Sequence, residues 1–282
     1  MNLNRKQRAD LASETLHIIE SGSYTTASGQ TISIREEIER AVSGTTLYRP
    51  NDFPETMPPT DNNPVHTRIE VTGETTLEAA ARLHRAGESD IAVLNFASAN
   101  NPGGGFISGS QAQEESIARS SALYPCLMSH FEMYEHNRQI HTGFYSDHMI
   151  YSPGVPVFRT DSADLLDTPY PISVISAPAV NAGAVKQNNP ESVHLIEEAM
   201  RRRMARVLWI AQQYKHSALV LGAWGCGVFA NDPASVARLF AGQLSAPSVF
   251  HGQFKRIVFA VYDRSGEILN AFTQELACLS DM

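Results

Sequence analysis

Residues 91–121 read IAVLNFASANNPGGGFISGSQAQEESIARSS, and this stretch indicates the fold and the site together. Its apolar start at 91–94 is bounded by turn-forming residues, which predicts a short buried strand. The glycines Gly103 to Gly105 then permit positive φ angles and let a ligand approach backbone N–H groups. Because Glu114 and Glu115 follow at the head of a predicted helix, two carboxylates stand beside a loop suited to anions. This combination is typical of an active site.

Strand and helix patterns alternate on both sides of this stretch. Strands are predicted at 67–71, 91–97, 149–151, 157–158, 172–177, 218–221 and 257–262. Helices are predicted behind a Thr75-x-x-Glu78 capping box and at 111–123, 125–137, 190–214, 232–244 and 265–279. Strands that alternate with helices indicate an α/β fold with a largely parallel or mixed sheet.

The first 66 residues follow a different pattern. Amphipathic helices are predicted at 4–21 and at 34–43, the second behind a Ser33-x-x-Glu36 capping box. Residues 49–66 are rich in proline and turn formers, which predicts an extended connector. We therefore predict a helical N-terminal extension with its connector over 1–66 and a catalytic domain over 67–282.

Composition narrows the class of protein. The chain has 282 residues, of which 43% are hydrophobic and 18% charged, as in ordinary globular domains. A formal charge of −8 argues against a general binder of nucleic acids or anionic membranes, so direct nucleic-acid binding is not expected. No apolar run reaches the length of a membrane span, and residues 1–20 lack a signal-peptide core. We expect a cytoplasmic protein.

The metal-binding residue types form no recognisable site in the sequence. Cys126, Cys226 and Cys278 lie far apart without a C-x-x-C pair, which predicts reduced thiols and no zinc site. The spacing of four histidines does not match a metal-binding pair on a helix face: His130, His136, His141 and His148. We expect no metal and no cofactor.

The Gly-Gly-Gly loop followed by Gln113-Glu114-Glu115 resembles the poly(ADP-ribose) glycohydrolases. The flanking text, NFASANNPGGGF and QEESIARSSALYP, resembles their microbial branch. This resemblance implies a macrodomain-like three-layer α/β/α fold with a mixed central sheet. It also implies poly(ADP-ribose) or ADP-ribose as the ligand, and ADP-ribosylated proteins as partners. Glu115 would be the catalytic acid, Glu114 would orient the ribose hydroxyls, and Gln113 with Gly103, Gly104 and Gly105 would contact the ligand.

The chemistry of two adjacent glutamates fits this implication. Side chains of neighbouring residues on a helix diverge by about 100°, so Glu114 and Glu115 should have different roles. Cleavage of a ribose–ribose bond needs a proton for the leaving oxygen and stabilisation of an oxocarbenium-like centre. A carboxyl buried by substrate has a raised pKa and can supply that proton. The alternative is a solvated helix N-terminus, where glutamates favour the dipole.

A second glycine loop, GAWGCGVF at 222–229, follows the predicted strand 218–221. No Lys-Ser/Thr follows its glycines, so it is not a phosphate loop of the Walker type. Its N–H groups could form an anion nest, or the loop could be only a tight turn. By resemblance it would bind the ADP-ribose diphosphate, through Gly225, Cys226, Gly227, Val228 and Phe229. A nucleophilic role for the Cys226 thiol is conceivable, but a small residue in a tight turn is favoured.

Three further assignments remain open from the sequence. Phe229 could stack on a base or a ribose, or it could be a core residue. Val155 could line the adenine side, and Asn101 could touch the terminal ribose or only cap a turn. Arg201 to Arg203 are interpreted as a solvated helix face.

The functional prediction is a glycohydrolase that acts on poly(ADP-ribose), with Glu115 as general acid and base. Two alternatives are a hydrolase that removes ADP-ribose from a protein or nucleobase, and a macrodomain that binds ADP-ribose without cleaving it. We further expect exo cleavage, with residues 1–66 closing one end of the cleft beside Phe229.

Overall fold

The structure is a computed structural model that describes residues 3–59 and 64–279. Its strands are β1 (Ser23–Thr25), β2 (Thr31–Ser33), β3 (Thr46–Tyr48), β4 (Arg68–Thr72), β5 (Ile91–Phe96), β6 (Met149–Arg159), β7 (Leu165–Ala177), β8 (Ala218–Gly222) and β9 (Arg256–Ala260). Its first helices are α1 (Arg5–Ser21), α2 (Arg35–Gly44), α3 (Thr76–Arg85), α4 (Gln113–Ser120), α5 (Leu123–Met128) and α6 (Glu132–Arg138). The later helices are α7 (Ala182–Asn188), α8 (Ile196–Gln213), α9 (Pro233–Leu244) and α10 (Glu267–Leu276).

Seven of these strands form one sheet in the order β3-β6-β7-β5-β8-β9-β4, and β1 pairs with β2 separately. The pairs from β7 through β5, β8 and β9 to β4 are parallel, whereas β6 is antiparallel to both β3 and β7. The prediction of an α/β fold with a mixed sheet is therefore confirmed. Because β5 lies in the middle of the sheet, its run IAVLN is buried on both faces, as parallel strands require.

Helices cover both faces of the sheet. On one face, α8, α9 and α10 pack against alternate β5 residues such as Ala92 and Leu94. On the other face, α2, α3, α4 and α5 pack against Ile91 and Val93. This alternation is the period of two expected of a strand, and it produces the three-layer α/β/α arrangement.

Two predicted strand and helix boundaries are wrong for physical reasons. The segment predicted as two short strands is the single strand β6, with an irregular register between Ser152 and Val155. Its prolines are tolerated because β3 pairs only with residues 149–151 of β6, so neither Pro153 nor Pro156 has to donate to β3. The helix predicted at 190–214 begins as a 3₁₀ turn over Pro190–Leu195 before α8 starts.

The two predicted capping boxes have different outcomes. At α3, the Thr75 side chain accepts from the N–H of Glu78, and the Glu78 carboxylate accepts from the N–H of Thr75, so this capping box is confirmed. At α2, the capping residue is Ile34, whose side chain has no capping bond, so the Ser33 box is wrong. Ser33 instead lies at the end of β2, where the strand holds its backbone extended.

The described part of the N-terminal extension packs closely on the sheet. Helix α1 lies against residues 106–109, where Arg5 and Arg8 donate to the carbonyls of Ser108 and Gly109 at 3.0 and 2.7 Å. Strand β3 is an edge strand of the main sheet. The division between residues 66 and 67 stays a prediction, and residues 60–63 of the connector lie outside the described ranges. Across residues 3–59 and 64–279, no helix has the length and apolar character needed to span a membrane.

Candidate active site

The first glycine loop leaves β5 at the edge where the parallel strands end. Gly103 and Gly104 have φ angles of +68° and +60°, a region that side chains disfavour. A Cβ on Gly104 would lie 2.4 Å from Oε1 of Glu115 and 3.1 Å from Oε2 of Glu114. Glycine is therefore required at position 104, because both glutamate carboxylates occupy the space beside it.

Glu115 lies in the first turn of α4 and is half-buried. Its Oε1 accepts a hydrogen bond from the N–H of Gly105 at 2.9 Å. The N–H of Gly104 donates to the carbonyl of Asn101 at 3.0 Å. These N–H groups of the first loop therefore bind protein oxygens, although the sequence suggested that they suit an anion. The contacts of Gly103, Gly104 and Gly105 favour a role in holding the glutamates, and their assignment to ADP-ribose binding stays a prediction.

Glu114 also reaches the space beside Gly104, but it is buried, with 3% of its surface exposed. Its Oε2 accepts from the N–H of Ser98 at 2.7 Å, and its Oε1 accepts from the amide of Asn95 at 3.2 Å. Burial raises the pKa of the Glu114 carboxyl to about 8, and the bonds from Ser98, Asn95 and the Gly103 N–H oppose this rise. The two adjacent glutamates therefore have different environments, as their positions on the helix predict.

Gln113 uses its amide to complete the central strand. Its Oε1 accepts from the N–H of Phe96 at 2.9 Å, and its Nε2 donates to the carbonyl of Leu94 at 2.7 Å. The pairing of β5 with β8 ends at Val93. Beyond that residue, the Gln113 side chain provides hydrogen-bond partners for backbone N–H and C=O groups of β5. These contacts favour a role in positioning α4, and the assignment of Gln113 to ligand binding stays a prediction.

Asn101 is exposed before the glycines. Its N–H donates to the Ser98 hydroxyl at 3.2 Å, and its Oδ1 accepts from the guanidinium of Arg138 at 3.4 Å. Arg138 also donates to the carbonyl of Asn100 at 2.9 Å. Asn101 therefore stabilises the turn, and its exposure leaves the predicted ribose contact open.

The second glycine loop has the opposite character. Gly225, with φ of +75°, packs against Ala179 and Asn231, but a Cβ on Gly227 would meet no atom within 4 Å. Within the part of the chain that the structure describes, the consecutive N–H groups of Gly227, Val228 and Phe229 donate to no protein acceptor. Val228 is 93% exposed. Consecutive N–H groups without protein acceptors are what an anion nest requires.

Cys226 lies inside this loop and is a free cysteine. Burial first, and the charge of Asp232 second, raise the pKa of its thiol to about 12. A thiol needs to ionise to act as a nucleophile, so these surroundings oppose a nucleophilic role. The interpretation as a small residue in a tight turn agrees with this environment.

Phe229 is half-buried, and its ring meets that of Tyr145 with centroids 5.9 Å apart. The described extension does not provide this contact, since α1 lies on 106–109 and Phe53 packs among the aromatic rings near α8. Among the described residues, Tyr145 is the aromatic neighbour of Phe229, and the expectation that the extension closes the cleft beside Phe229 stays a prediction.

The structure does not bring Val155 to this edge. Val155 is fully buried and pairs with Ile172, five positions before the end of β7 at Ala177. At about 3.3 Å per residue, this separation is roughly 16 Å along the strand. The suggested adenine contact therefore has no support from its position.

Two residues that the sequence reasoning missed or misread lie near the site. Tyr262 follows β9 at the same edge, and 62% of its surface is exposed. Arg203, interpreted as part of a solvated face, is 1% exposed and forms an ion pair with Asp147 at 2.7 Å. Tyr262 could have been recognised as an aromatic residue at the end of a predicted strand. The burial of Arg203 depends on Asp147, which is distant in sequence.

The remaining polar clusters lie elsewhere. The rings of His136 and His148 are tilted by 47° with centroids 4.7 Å apart, but the described residues include no group of three or more potential metal ligands. A surface cleft of about 660 Å³ lies between residues 50–57 and α8, away from both glycine loops. The glycine loops are therefore identified by their contacts and position and not by the size of a cavity.

Comparisons with known proteins agree with this geometry. The family model described as "Microbial-type PARG, catalytic domain", where PARG stands for poly(ADP-ribose) glycohydrolase, matches residues 12–160. The poly(ADP-ribose) glycohydrolase of Thermomonospora curvata is 45% identical, covers 96% of this chain and 100% of its own, and superposes with a TM-score of 0.90.

Two ligand complexes are also similar. The Thermomonospora curvata enzyme bound to the inhibitor ADP-HPD is 46% identical, over 96% of this chain and 99% of its own, with a TM-score of 0.87. The Deinococcus radiodurans enzyme in complex with ADP-ribose is 43% identical, over 86% of this chain and 98% of its own, with a TM-score of 0.78. No curated protein matches the chain. The identity, the coverage and the matched catalytic-domain model establish that this chain belongs to the microbial-type poly(ADP-ribose) glycohydrolase family, with its macrodomain-like fold.

Proposed function

We propose that this chain hydrolyses the ribose–ribose O-glycosidic bonds of poly(ADP-ribose) from the free end and releases ADP-ribose, with Glu115 as the general acid and base. The observation that carries this role is the position of the half-buried Glu115 carboxylate, which Gly105 holds at the edge of the sheet. The solved structures with ADP-ribose and with ADP-HPD support the same ligand class, because those proteins share the fold and more than two fifths of the sequence.

In this proposal Glu115 takes part in two proton transfers, first as an acid and then as a base. The protonated Glu115 carboxyl gives its proton to the leaving ribose oxygen as the glycosidic bond breaks and an oxocarbenium-like ribose forms. The resulting carboxylate then takes a proton from the water that attacks this ribose, which restores the acid. General acid–base catalysis of this kind typically contributes about 10²–10⁴-fold.

The other contacts would hold the substrate. The free N–H groups of Gly227, Val228 and Phe229 suit the diphosphate, which is held without a metal in this proposal. The exposed ring of Tyr262, on the β9 side, suits the adenine. Glu114 is nearly enclosed and supports the loop through Ser98, and its role in orienting the ribose hydroxyls remains a prediction from the resemblance. ADP-ribosylated proteins as partners and a cytoplasmic location remain predictions from the sequence.

The test is the set of products released from poly(ADP-ribose) of defined length by the purified protein. Monomeric ADP-ribose as the main early product supports the proposal. Oligomers released early would contradict exo cleavage, and a protein stripped of its last ADP-ribose would favour the alternative hydrolase. Binding of ADP-ribose without any cleavage would favour the non-catalytic macrodomain.

A further inference from the structure

The segment 143–147 enters β6 at the edge where β5 and β7 end. Strand β6 is antiparallel to β7, and Ile150 pairs with Ser176, so the start of β6 lies beside the end of β7. In the order β6-β7-β5-β8-β9, this segment is on the opposite side of β5 from Tyr262. If the adenine of the bound unit lies at Tyr262, the bond to be cleaved and the next polymer unit lie toward 143–147.

The backbone of this segment is held in an unfavourable conformation. Tyr145 has φ of +58°, which is uncommon for a bulky residue. The guanidinium of Arg203 donates to the carbonyls of Phe144 and Tyr145 at 2.6 and 3.1 Å. Such a strained backbone persists only where the surroundings fix it.

Two further hydrogen bonds hold the Arg203 side chain. It donates to the carbonyl of Pro178 at 3.1 Å, just after β7, and to Oδ1 of Asp147 at 2.7 Å. With 1% of its side chain exposed, the guanidinium is buried and has protein partners on each side. The N–H of Ser146 also donates to Oδ1 of Asn137 at 2.7 Å. The position of Tyr145 is thus determined by a buried polar network.

This network links the two glycine loops. The Tyr145 ring contacts Phe229 of the second loop, and Arg138, shortly before the segment, donates to the Asn100 carbonyl of the first loop. Tyr145 is also half-buried, so part of the residue is accessible to a ligand. A partly exposed aromatic residue in a fixed position beside the two glycine loops is suited to stacking on a base or sugar.

We propose that Tyr145, positioned by Arg203 and backed by Phe229, is a specificity-determining residue that stacks on the nucleoside of the leaving polymer unit. This inference rests on the proposed function, in which the leaving oxygen belongs to the adenosine ribose of the next unit. That adenosine carries an adenine, and a base stacks favourably on an aromatic side chain. Tyr145 therefore favours a nucleoside leaving group over a protein side chain.

The test compares Tyr145→Gly with Tyr145→Phe. Glycine accepts a positive φ, so the Gly variant removes the ring without adding backbone strain, and its Tm should not fall by more than that of Tyr145→Ala. We expect Tyr145→Gly to lower kcat/KM for a defined ADP-ribose dimer about tenfold, while its Kd for ADP-ribose stays within twofold of wild type. Tyr145→Phe keeps the ring and should retain the wild-type kcat/KM.

The outcomes separate this proposal from the proposed function. An unchanged kcat/KM in Tyr145→Gly, or an ADP-ribose Kd that weakens by the same factor as kcat/KM, would overturn the leaving-unit contact. Arg203→Lys keeps a charge for Asp147 but loses the forked donor pair, so kcat/KM should fall while the ADP-ribose Kd is retained. A wild-type protein that cleaves no dimer would instead overturn the proposed function.

Discussion

The two glycine loops have similar sequences but opposite relations to their surroundings. In the first loop, Gly104 lies against both glutamates, and a Cβ there would be 2.4 Å from Glu115 Oε1. In the second loop, Gly227 faces open space, and three consecutive N–H groups have no acceptor in the described chain. The first loop therefore uses glycine to bring backbone close to its own carboxylates. The second uses glycine to leave backbone open to a ligand.

This difference predicts that equivalent substitutions have different effects. A change in the first loop should disturb the chemical step, because it moves the acid. A change in the second should disturb binding, because it blocks the approach of the ligand to the N–H groups. The substitutions below test this division, beginning with the largest expected effect.

Glu115→Gln should lower kcat on defined poly(ADP-ribose) by about 10²–10⁴-fold, because the amide keeps the size of the side chain but has no transferable proton. Its Kd for ADP-ribose, measured by calorimetry, should stay within a few-fold of wild type. Glu135→Gln on α6, where the side chain is exposed, is the matched control and should leave both values unchanged. Turnover of Glu115→Gln within a few-fold of wild type would remove Glu115 from the acid role.

Gly104→Ala should lower kcat by about 10²-fold, since a displacement of roughly 1 Å in a catalytic group can have that effect. The new Cβ must displace Glu115, and the φ of +60° adds strain. Gly227→Ala is the matched control, because its Cβ meets no atom within 4 Å. Equal kcat values for the two variants, measured on the same polymer, would contradict the proposed division between the loops.

Gly227→Val should weaken ADP-ribose binding about tenfold while the Tm stays near that of wild type, because a branched side chain hinders approach to the free N–H groups and its Cβ meets no protein atom within 4 Å. Calorimetry measures the affinity, and thermal unfolding checks the fold. If a folded variant bound ADP-ribose as tightly as wild type, the second loop would be only a structural turn.

Tyr262→Ala should weaken ADP-ribose binding by about fivefold to tenfold, at the lower end of the energy of base stacking. Tyr262→Phe should restore it, since the ring is kept. Tyr214→Ala is the control. It removes another exposed tyrosine, which lies toward the opposite side of the sheet from β9. The adenine assignment fails if Tyr262→Ala and Tyr214→Ala have the same affinity.

Glu114 should make stability fall as pH rises. Its folded pKa of about 8 is above the ordinary 4.5, so the unfolded chain loses this proton first. The folded state is therefore penalised progressively between pH 4.5 and about 8, and the penalty is constant above that range. Glu114→Gln should remove this dependence, so its free energy of unfolding relative to wild type should increase from pH 5 to pH 8. Denaturant unfolding at both values measures this difference, and an equal difference at the two values would contradict the burial argument.

Much of this molecule could be predicted from the sequence because the signals are local. The alternation of apolar runs with capped helices predicted the α/β fold, and Gly-Gly-Gly with Gln113-Glu114-Glu115 identified the family. The positive φ angles of Gly103 and Gly104 follow from residue type. The capping box at Thr75 also depends on residues only three positions apart.

What only the tertiary structure decided depends on residues that are distant in the chain. Arg203 is buried because Asp147 and the carbonyls of Phe144 and Tyr145 surround it, which no helical pattern can indicate. The N–H of Gly105 is occupied because α4 packs against β5 and places Glu115 beside the first loop. A local pattern specifies the backbone that a segment can adopt. The partners of its polar groups, and hence which loop is left open to a ligand, are decided by the packing of the whole chain.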